Sequence, residues 1–380
     1  MFVPSGSDAL TDHEGHGEGL IAWHLLCGLA ARGHELVVCA RTARLDAAPP
    51  FELIETGPAA SLESLEPLAY ARLARRLCER RGGAGSFDLA HWLLPGGAAR
   101  TLFVPPRGLP LVVGPHSASW PTGPRTRPWG PGDLMAPLLA PLVARTRRRM
   151  LAAATVLLGT TPEALAGWPP AKTRIVPRGI DPARFTVAPL PAVPTVLFIG
   201  ALRQSKGVHE LITGFAAARA RVPAARLVLA GEGPERSSLE QLVVLLGLGD
   251  AVTLVGPVRH AQIPALLAAS SLLCLPSHGE PFGMAVLEAM AAGRAVVACA
   301  AGGPRQLVDP DAGGRLVPVG DADALGGALA TLLADPAALA RLGAFNRARV
   351  EAGYSLEHVV DLVEAAYADA AAQRTPGGRR

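Results

Sequence analysis

Two carboxylates in the stretch "SHGEPFGMAVLEAMAAGRAVV" (277–297) are the residues most able to do chemistry. Glu280 sits in a loop broken by proline and glycine. Glu288 sits in a run, Met284 to Ala292, whose other side chains are all apolar or small. A helix apolar all round is a buried helix, and a buried carboxylate without a partner costs several kcal/mol. Glu288 must therefore pair with a base, such as Arg294, or face a polar cavity. The loop "GEPFG" (279–283) favours the cavity. It starts the helix near Gly283 and leaves backbone N–H groups around Gly283, Met284 and Ala285 able to take a phosphate. Carboxylates accept hydrogen bonds from hydroxyls, including both hydroxyls of a vicinal diol. A phosphate with a diol on either side describes a nucleotide-sugar.

Other residues fit the same ligand. Lys206 in "GALRQSKG" (200–207) is one of only two lysines in the chain. A compact ammonium suits diphosphate oxygens, and Arg203 could reach the same place. "GEGP" (231–234), with Gly231 at its start, reads as a tight strand-to-helix turn. It is a poor dinucleotide fingerprint, because it lacks the third glycine and contains a proline. In "HGEGL" (16–20), Gly17 and Gly19 allow close approach of backbone to a ligand, although a plain loop reads almost as well. His116 ends the strand "PLVVGPH" at its carboxyl edge, where a structural and a catalytic histidine are about equally expected. The proline- and glycine-rich stretch 117–133 carries Trp120 and Trp129 and is a candidate lid or acceptor wall. No Asp-x-Asp stands at a strand end to hold a divalent ion, so no metal is expected.

The elements that must position these residues are short β-branched runs alternating with helical stretches. Strands are expected at 36–40, 89–93, 110–114 and 155–160, and again at 195–200, 226–231, 252–256, 272–276 and 295–300. Apolar runs of this length between helices are parallel strands covered on both faces. The doubly wound α/β pattern thus occurs twice, in a first domain over 1–180 and a second over 195–354. The stretch "DPARFTVAPLPAVP" (181–194) is the expected linker, and ligands are expected where the carboxyl ends of the strands face a cleft. An amphipathic helix over 355–372 is expected to pack back across both domains, with a disordered tail after it. The first strand reads as clipped, since Met1 opens directly on "FVPSGSD".

At 380 residues, 49% hydrophobic and 18% charged, the chain has ample material for two cores. The net charge of +4 and the lack of a basic stripe with aromatics give no reason to expect nucleic acid as a partner. The positive surplus lies in the first half, much of it in "ARLARRLCERR" (71–81) and "ARTRRRM" (144–150). These are solvated helix faces, or a surface for anionic lipid heads or an anionic substrate. The five scattered cysteines read as buried thiols in a reducing compartment. No signal peptide or membrane-spanning run is evident, so a cytosolic protein, at most attached to a membrane surface, is expected.

The run "PSHGEPFGMAVLEAMAAGRAVVACAAGG" resembles the donor-site signature of retaining glycosyltransferases of family 4, also called group 1. "GHGEGL", "RIVPRGID", "FIGALRQSKG" and "LAGEGP" extend the resemblance over nearly the whole chain. It implies a GT-B fold of two Rossmann-like domains, the second holding most of the nucleotide-sugar and the first the acceptor. By position, Glu280 would bind the donor sugar's hydroxyls and Glu288 the ribose. Backbone at Phe282, Gly283 and Met284 would meet sugar and diphosphate. Lys206 would neutralise the leaving diphosphate, and His116 would sit near the reacting carbon. The resemblance further implies retention of configuration with neither metal nor other cofactor. The chain departs from the family in having Ala201, Arg178 and Gln306 where arginine, asparagine and glutamate are usual. Two rivals remain open. One is a non-catalytic nucleotide-sugar-binding protein. The other is a different enzyme on this fold, such as an epimerase, or a phosphorylase with pyridoxal phosphate on Lys172 or Lys206.

Overall fold

Three residues, Phe2–Pro4, suffice for the first strand, β1, because neighbours cover both of its edges. In the computed structural model, which describes residues 1–5, 9–12, 17–59, 65–93, 102–116 and 136–373, β1 is an interior strand of a seven-stranded sheet. Its companions are β2 (Val37–Ala40), β3 (Glu52–Glu55), β4 (Ala90–Leu93), β5 (Leu111–His116), β6 (Val156–Gly159) and β7 (Thr173–Ile175). They pair in the order β3-β2-β1-β4-β5-β6-β7, all parallel.

Side chains alternate between the two faces of this sheet. Val3, Val38, Val112, Val156 and Leu158 enter one core, packed by helix α1 (Gly17–Ala31). Phe2, Cys39, Leu111, Val113 and Leu157 enter the other, packed by α2 (Glu66–Arg80) and α3 (Ala136–Ala153). The near-continuous apolar runs in the sequence are the consequence of this double burial.

The second unit, Ile180–Ser355, repeats the plan with six parallel strands. These are β8 (Thr195–Ile199), β9 (Arg226–Ala230), β10 (Val252–Gly256), β11 (Leu272–Leu275), β12 (Ala295–Cys299) and β13 (Gly314–Val317), in the order β10-β9-β8-β11-β12-β13. Its helices are α4 (Val208–Arg221), α5 (Arg236–Leu245), α6 (Ile263–Ala268), α7 (Met284–Ala291), α8 (Pro304–Leu307), α9 (Ala322–Leu333) and α10 (Pro336–Gly353). The strand order reverses between β8 and β11. In open parallel sheets, ligands bind beyond the carboxyl ends of the strands at such a reversal.

The stretch 181–194, expected as a linker, belongs to the second unit. Phe185 is buried in its core, and Arg347 Nη1 donates to the carbonyls of Pro182 at 3.0 Å and Phe185 at 2.8 Å. The chain crosses between units at Gly179–Ile180 and returns at Ser355–Leu356. The two crossings are stitched where the Ile180 N–H donates to the Tyr354 carbonyl at 2.9 Å.

Helix α11 (Leu356–Ala372) rejoins the first unit. Val359, Val360, Val363 and Tyr367 are buried in the same core as α1, each worth about 1.5–3 kcal/mol of burial. The Tyr367 hydroxyl meets His91 Nδ1 at 2.6 Å, while His91 Nε2 donates to the Gly114 carbonyl at 2.8 Å. All five cysteines are free, and burial pushes the Cys39 and Cys78 thiols up to about 12. Among the described residues, no single helix is long and apolar enough to cross a membrane.

Candidate functional site

The candidate residues of the second unit converge at the carboxyl ends of β8, β9, β10, β11 and β12. Backbone bonds stitch the loops together. The Leu202 N–H donates to the Glu232 carbonyl at 2.9 Å, and the Glu235 N–H returns to the Leu202 carbonyl at 3.1 Å. The His278 N–H donates to the Ser205 carbonyl at 2.9 Å. Gly231 belongs to this stitching, since its N–H donates to the Gly256 carbonyl at 2.8 Å. The "GEGP" turn thus supports the loop that carries Arg203 and Lys206.

Lys206 ends a short 3₁₀ turn, and its Nζ donates to Glu280 Oε2 at 2.6 Å. Two residues placed at the donor by independent arguments therefore meet. The pair is only partly buried, so an incoming polyanion can take over the ammonium while the carboxylate turns to hydroxyls. Arg203 is exposed, and its side chain makes no hydrogen bond or ion pair among the described residues. It is available for an anion as Lys206 is.

The loop holding Glu280 is clamped from β12. The Gly303 N–H donates to the Glu280 carbonyl at 2.8 Å. A β-carbon on Gly303 would lie 2.1 Å from the Phe282 carbonyl oxygen, so only glycine permits this approach. Phe282 is buried in the core, which fixes the loop's other side. Gly283, at φ +94°, then turns the chain into α7. Its left-handed backbone is one that residues with a side chain rarely adopt. The first N–H groups of α7, from Met284 on, have no acceptor within the helix and make an anion site together with the helix dipole.

Glu288 lies on α7, 4% exposed. Its partner is His260, not Arg294: His260 Nε2 stands 2.9 Å from Glu288 Oε1. Arg294 lies beyond the end of α7 and donates to the carbonyls of Leu267 at 2.9 Å and Ala268 at 2.9 Å, at the carboxyl terminus of α6. A cation is at home there. Arg184 Nη2 stands 3.2 Å from His260 Nδ1. A guanidinium can only donate, so Nδ1 accepts and Nε2 carries the proton given to Glu288. One carboxylate oxygen of Glu288 is thereby occupied and the other is left for a ligand. His260 and Arg184 come from loops distant in sequence, and nothing in their spacing marks them. Ser277 was also missed. It is buried just past β11, and its hydroxyl has no hydrogen-bond partner among the described residues.

The first unit holds the remaining candidates. Gly17 begins α1, and Gly19 lies so close to the Ala9 carbonyl that a β-carbon would be 2.1 Å from its oxygen. Gly19 therefore has a packing role in addition to any contact with ligand. His116 ends β5, 1% exposed, with Nε2 donating to the Ala164 carbonyl at 2.8 Å. Burial holds its pKa below the usual imidazole value. Arg178, in the position where asparagine is usual, has Nη2 3.8 Å from Glu18 Oε1. Lys172 Nζ donates to the Ala154 carbonyl at 3.2 Å. Trp120 and Trp129 lie outside the described residues, as does the tail from 374. No group of three His, Cys, Asp or Glu side chains able to hold a metal ion occurs among the described residues.

Two parallel α/β units of this strand order define the GT-B class of fold. The sequence identifies the family within it. The family model for glycosyl transferases group 1 matches residues 184–349, and that for glycosyltransferase family 4 matches residues 17–184. The D-inositol 3-phosphate glycosyltransferase of Kineococcus radiotolerans is 30% identical over 91% of this chain and 89% of its own length. The chain belongs to glycosyltransferase family 4. It is also 33% identical to the alpha-D-kanosaminyltransferase of Streptomyces kanamyceticus, over 46% of this chain. That match spans only 45% of the relative's length, about half. Among solved structures, the sucrose-phosphate synthase of Thermosynechococcus elongatus has a TM-score of 0.70 at 25% identity, covering 97% of this chain and 98% of that one.

Proposed function

We propose that the chain transfers a sugar from a nucleotide-diphosphate-sugar to an acceptor hydroxyl, with retention at the anomeric carbon and without a metal ion. The observation that carries this reading is the meeting of Lys206 with Glu280 beside the amino terminus of α7, the helix that bears Glu288. In the reaction the bond from the anomeric carbon to the diphosphate oxygen breaks, and the acceptor oxygen takes its place and gives its proton to the departing diphosphate. Negative charge grows on the departing diphosphate. Lys206, Arg203 and the first N–H groups of α7 are fixed positive groups that stabilise that charge as it develops. Glu280 accepts from hydroxyls of the sugar. Glu288, with one oxygen occupied by His260, accepts from the ribose with the other. His116, at the end of β5, keeps the role near the reacting carbon that the resemblance implies for it.

A thermal-shift screen of UDP-, GDP-, ADP- and dTDP-sugars identifies the donor, and slow donor hydrolysis without acceptor then reports on catalysis. Donor binding with neither hydrolysis nor transfer to any acceptor would favour the non-catalytic reading instead. Turnover should persist in excess EDTA. Activity lost in chelator and restored by Mg²⁺ or Mn²⁺ would sink the metal-free mechanism.

A further inference from the structure

One face of the first unit has no part in the chemistry above. Helices α2 and α3 bury Tyr70, Ala74 and Cys78, and Met150 and Leu151, in the same core, so they cover the same side of the sheet. Their outer faces are both basic. On α2, Arg72, Arg76 and Arg80 recur at every fourth position and all are exposed, opposite the buried residues of that helix. On α3, Arg145, Arg148 and Arg149 are exposed, and the helix contains no acidic residue. None of these six arginines forms an ion pair or side-chain hydrogen bond among the described residues.

Several exposed arginines elsewhere pair with carboxylates, while others, such as Arg44, Arg107 and Arg203, stand singly rather than in a cluster. Arg75 pairs with Glu79 at 2.8 Å on α2 itself, and Arg81 pairs with Glu52 at 2.6 Å. Arg174 meets Asp369 at 2.7 Å, and the half-buried Arg236 meets Glu232 at 2.9 Å. Six arginines clustered on two neighbouring helices, without partners among the described residues, maintain a positive field over one face.

Apolar groups share that face. On α3, Leu138 is 72% and Leu142 47% exposed, one turn apart and in line with Arg145 and Arg149. Exposed leucines gain nothing from water or from a phosphate backbone, but they gain from the acyl boundary of a bilayer. Nucleic-acid surfaces add aromatic groups for stacking. The outer faces of α2 and α3 have none, since α2's Tyr70 is buried.

We propose that the outer face of α2 and α3 docks on an anionic lipid surface, the arginines against the headgroups and Leu138 and Leu142 among the first acyl carbons. The inference goes beyond the transferase reading and does not depend on it.

Co-sedimentation of the full chain with two sets of vesicles tests it, one of phosphatidylcholine alone and one containing phosphatidylglycerol as well. The protein should pellet with the anionic vesicles at low salt, stay in solution with the neutral ones, and be released as salt screens the charges. Each arginine near an anionic surface contributes about 1 kcal/mol, or roughly fivefold in partitioning. The triple variant Arg145→Gln, Arg148→Gln, Arg149→Gln should therefore lose on the order of a hundredfold. Leu138→Ser with Leu142→Ser should weaken binding while leaving its salt dependence unchanged. Circular dichroism checks that the variants fold, and the comparison of vesicles needs no variant. Three results would each overturn the proposal: equal binding to both vesicles, no binding to anionic vesicles at low salt, or vesicle binding untouched by loss of the leucines. Tight salt-sensitive binding to single-stranded RNA without vesicle binding would also overturn it and assign the face to nucleic acid.

Discussion

Glu288 answers to two partners, one in the protein and one in the ligand, and substitution can separate them. Glu288→Gln retains the shape but loses the charge, so donor affinity measured by calorimetry should fall by about 1–3 kcal/mol with the fold intact. His260→Ala instead leaves the buried carboxylate without its donor. It should lower the melting temperature and also weaken the donor, because the carboxylate is no longer oriented. An unchanged donor dissociation constant in both variants would remove Glu288 from the site. A second residue-scale expectation concerns acid. Burial pushes the His91 imidazole down to about 4 from 6.5. The folded protein therefore binds fewer protons than the unfolded chain between those values. Stability is full above about pH 6.5 and falls as pH drops toward 4, by roughly 3 kcal/mol at the limit. Burial shifts His116 in the same direction. Denaturant melts from pH 7 downward should show this loss, and His91→Gln should make the slope shallower. The same slope with and without the imidazole would show that other groups govern the acid limb.

At the scale of elements, the contact between the "AAGG" loop after β12 and the "EPFG" loop is the most demanding. Gly303→Ala places a β-carbon against the Phe282 carbonyl and should displace the Glu280 loop, at a cost of about 1–3 kcal/mol. Donor affinity should fall with it, and calorimetry that finds the affinity intact would show that the loop has room to give. This contact also shows where sequence reading succeeds and where it stops. Glu280, Glu288, Lys206 and Gly283 were legible because each is odd in its local setting: a charge in an apolar helix, a rare lysine, a glycine at a helix start. His260 and Arg184 are ordinary in theirs, and only the fold brings them to Glu288. Arg294, the nearby base weighed as an alternative partner, is diverted because the chain turns at Gly293 (φ +66°) and leads away into β12. Strands follow the same logic. The central ones announced themselves by burial on both faces. Glu52–Glu55, Thr173–Ile175 and Gly314–Val317 escaped notice, and all three are at sheet edges where neighbours cover one side only. β1 lies inside the sheet, and its neighbours on both edges supply what its three residues lack.

At the scale of the whole molecule, each unit offers a separate test. Residues 180–355 expressed alone should fold and bind the nucleotide-sugar, since Lys206, Arg203, Glu280, Glu288, His260 and Arg184 all belong to that unit. The fragment should not transfer sugar, because His116 belongs to the other. Starting it at 187 would discard Arg184, the buried Phe185 and the bond from Ile180 to Tyr354, and should yield a less stable product. A folded 180–355 fragment unable to bind any nucleotide would show that the donor needs more than this unit. The return of α11 to the first unit has a further consequence, in the order of synthesis. A ribosome completes β1 to β7 early, but the valines of one core and the hydroxyl that meets His91 arrive only with residues 356–372, after the entire second unit has emerged. The second unit can close on itself at once. The first must wait with one apolar face covered by α1 alone, so the part of the chain made first is the part finished last, and chaperones would find their substrate there.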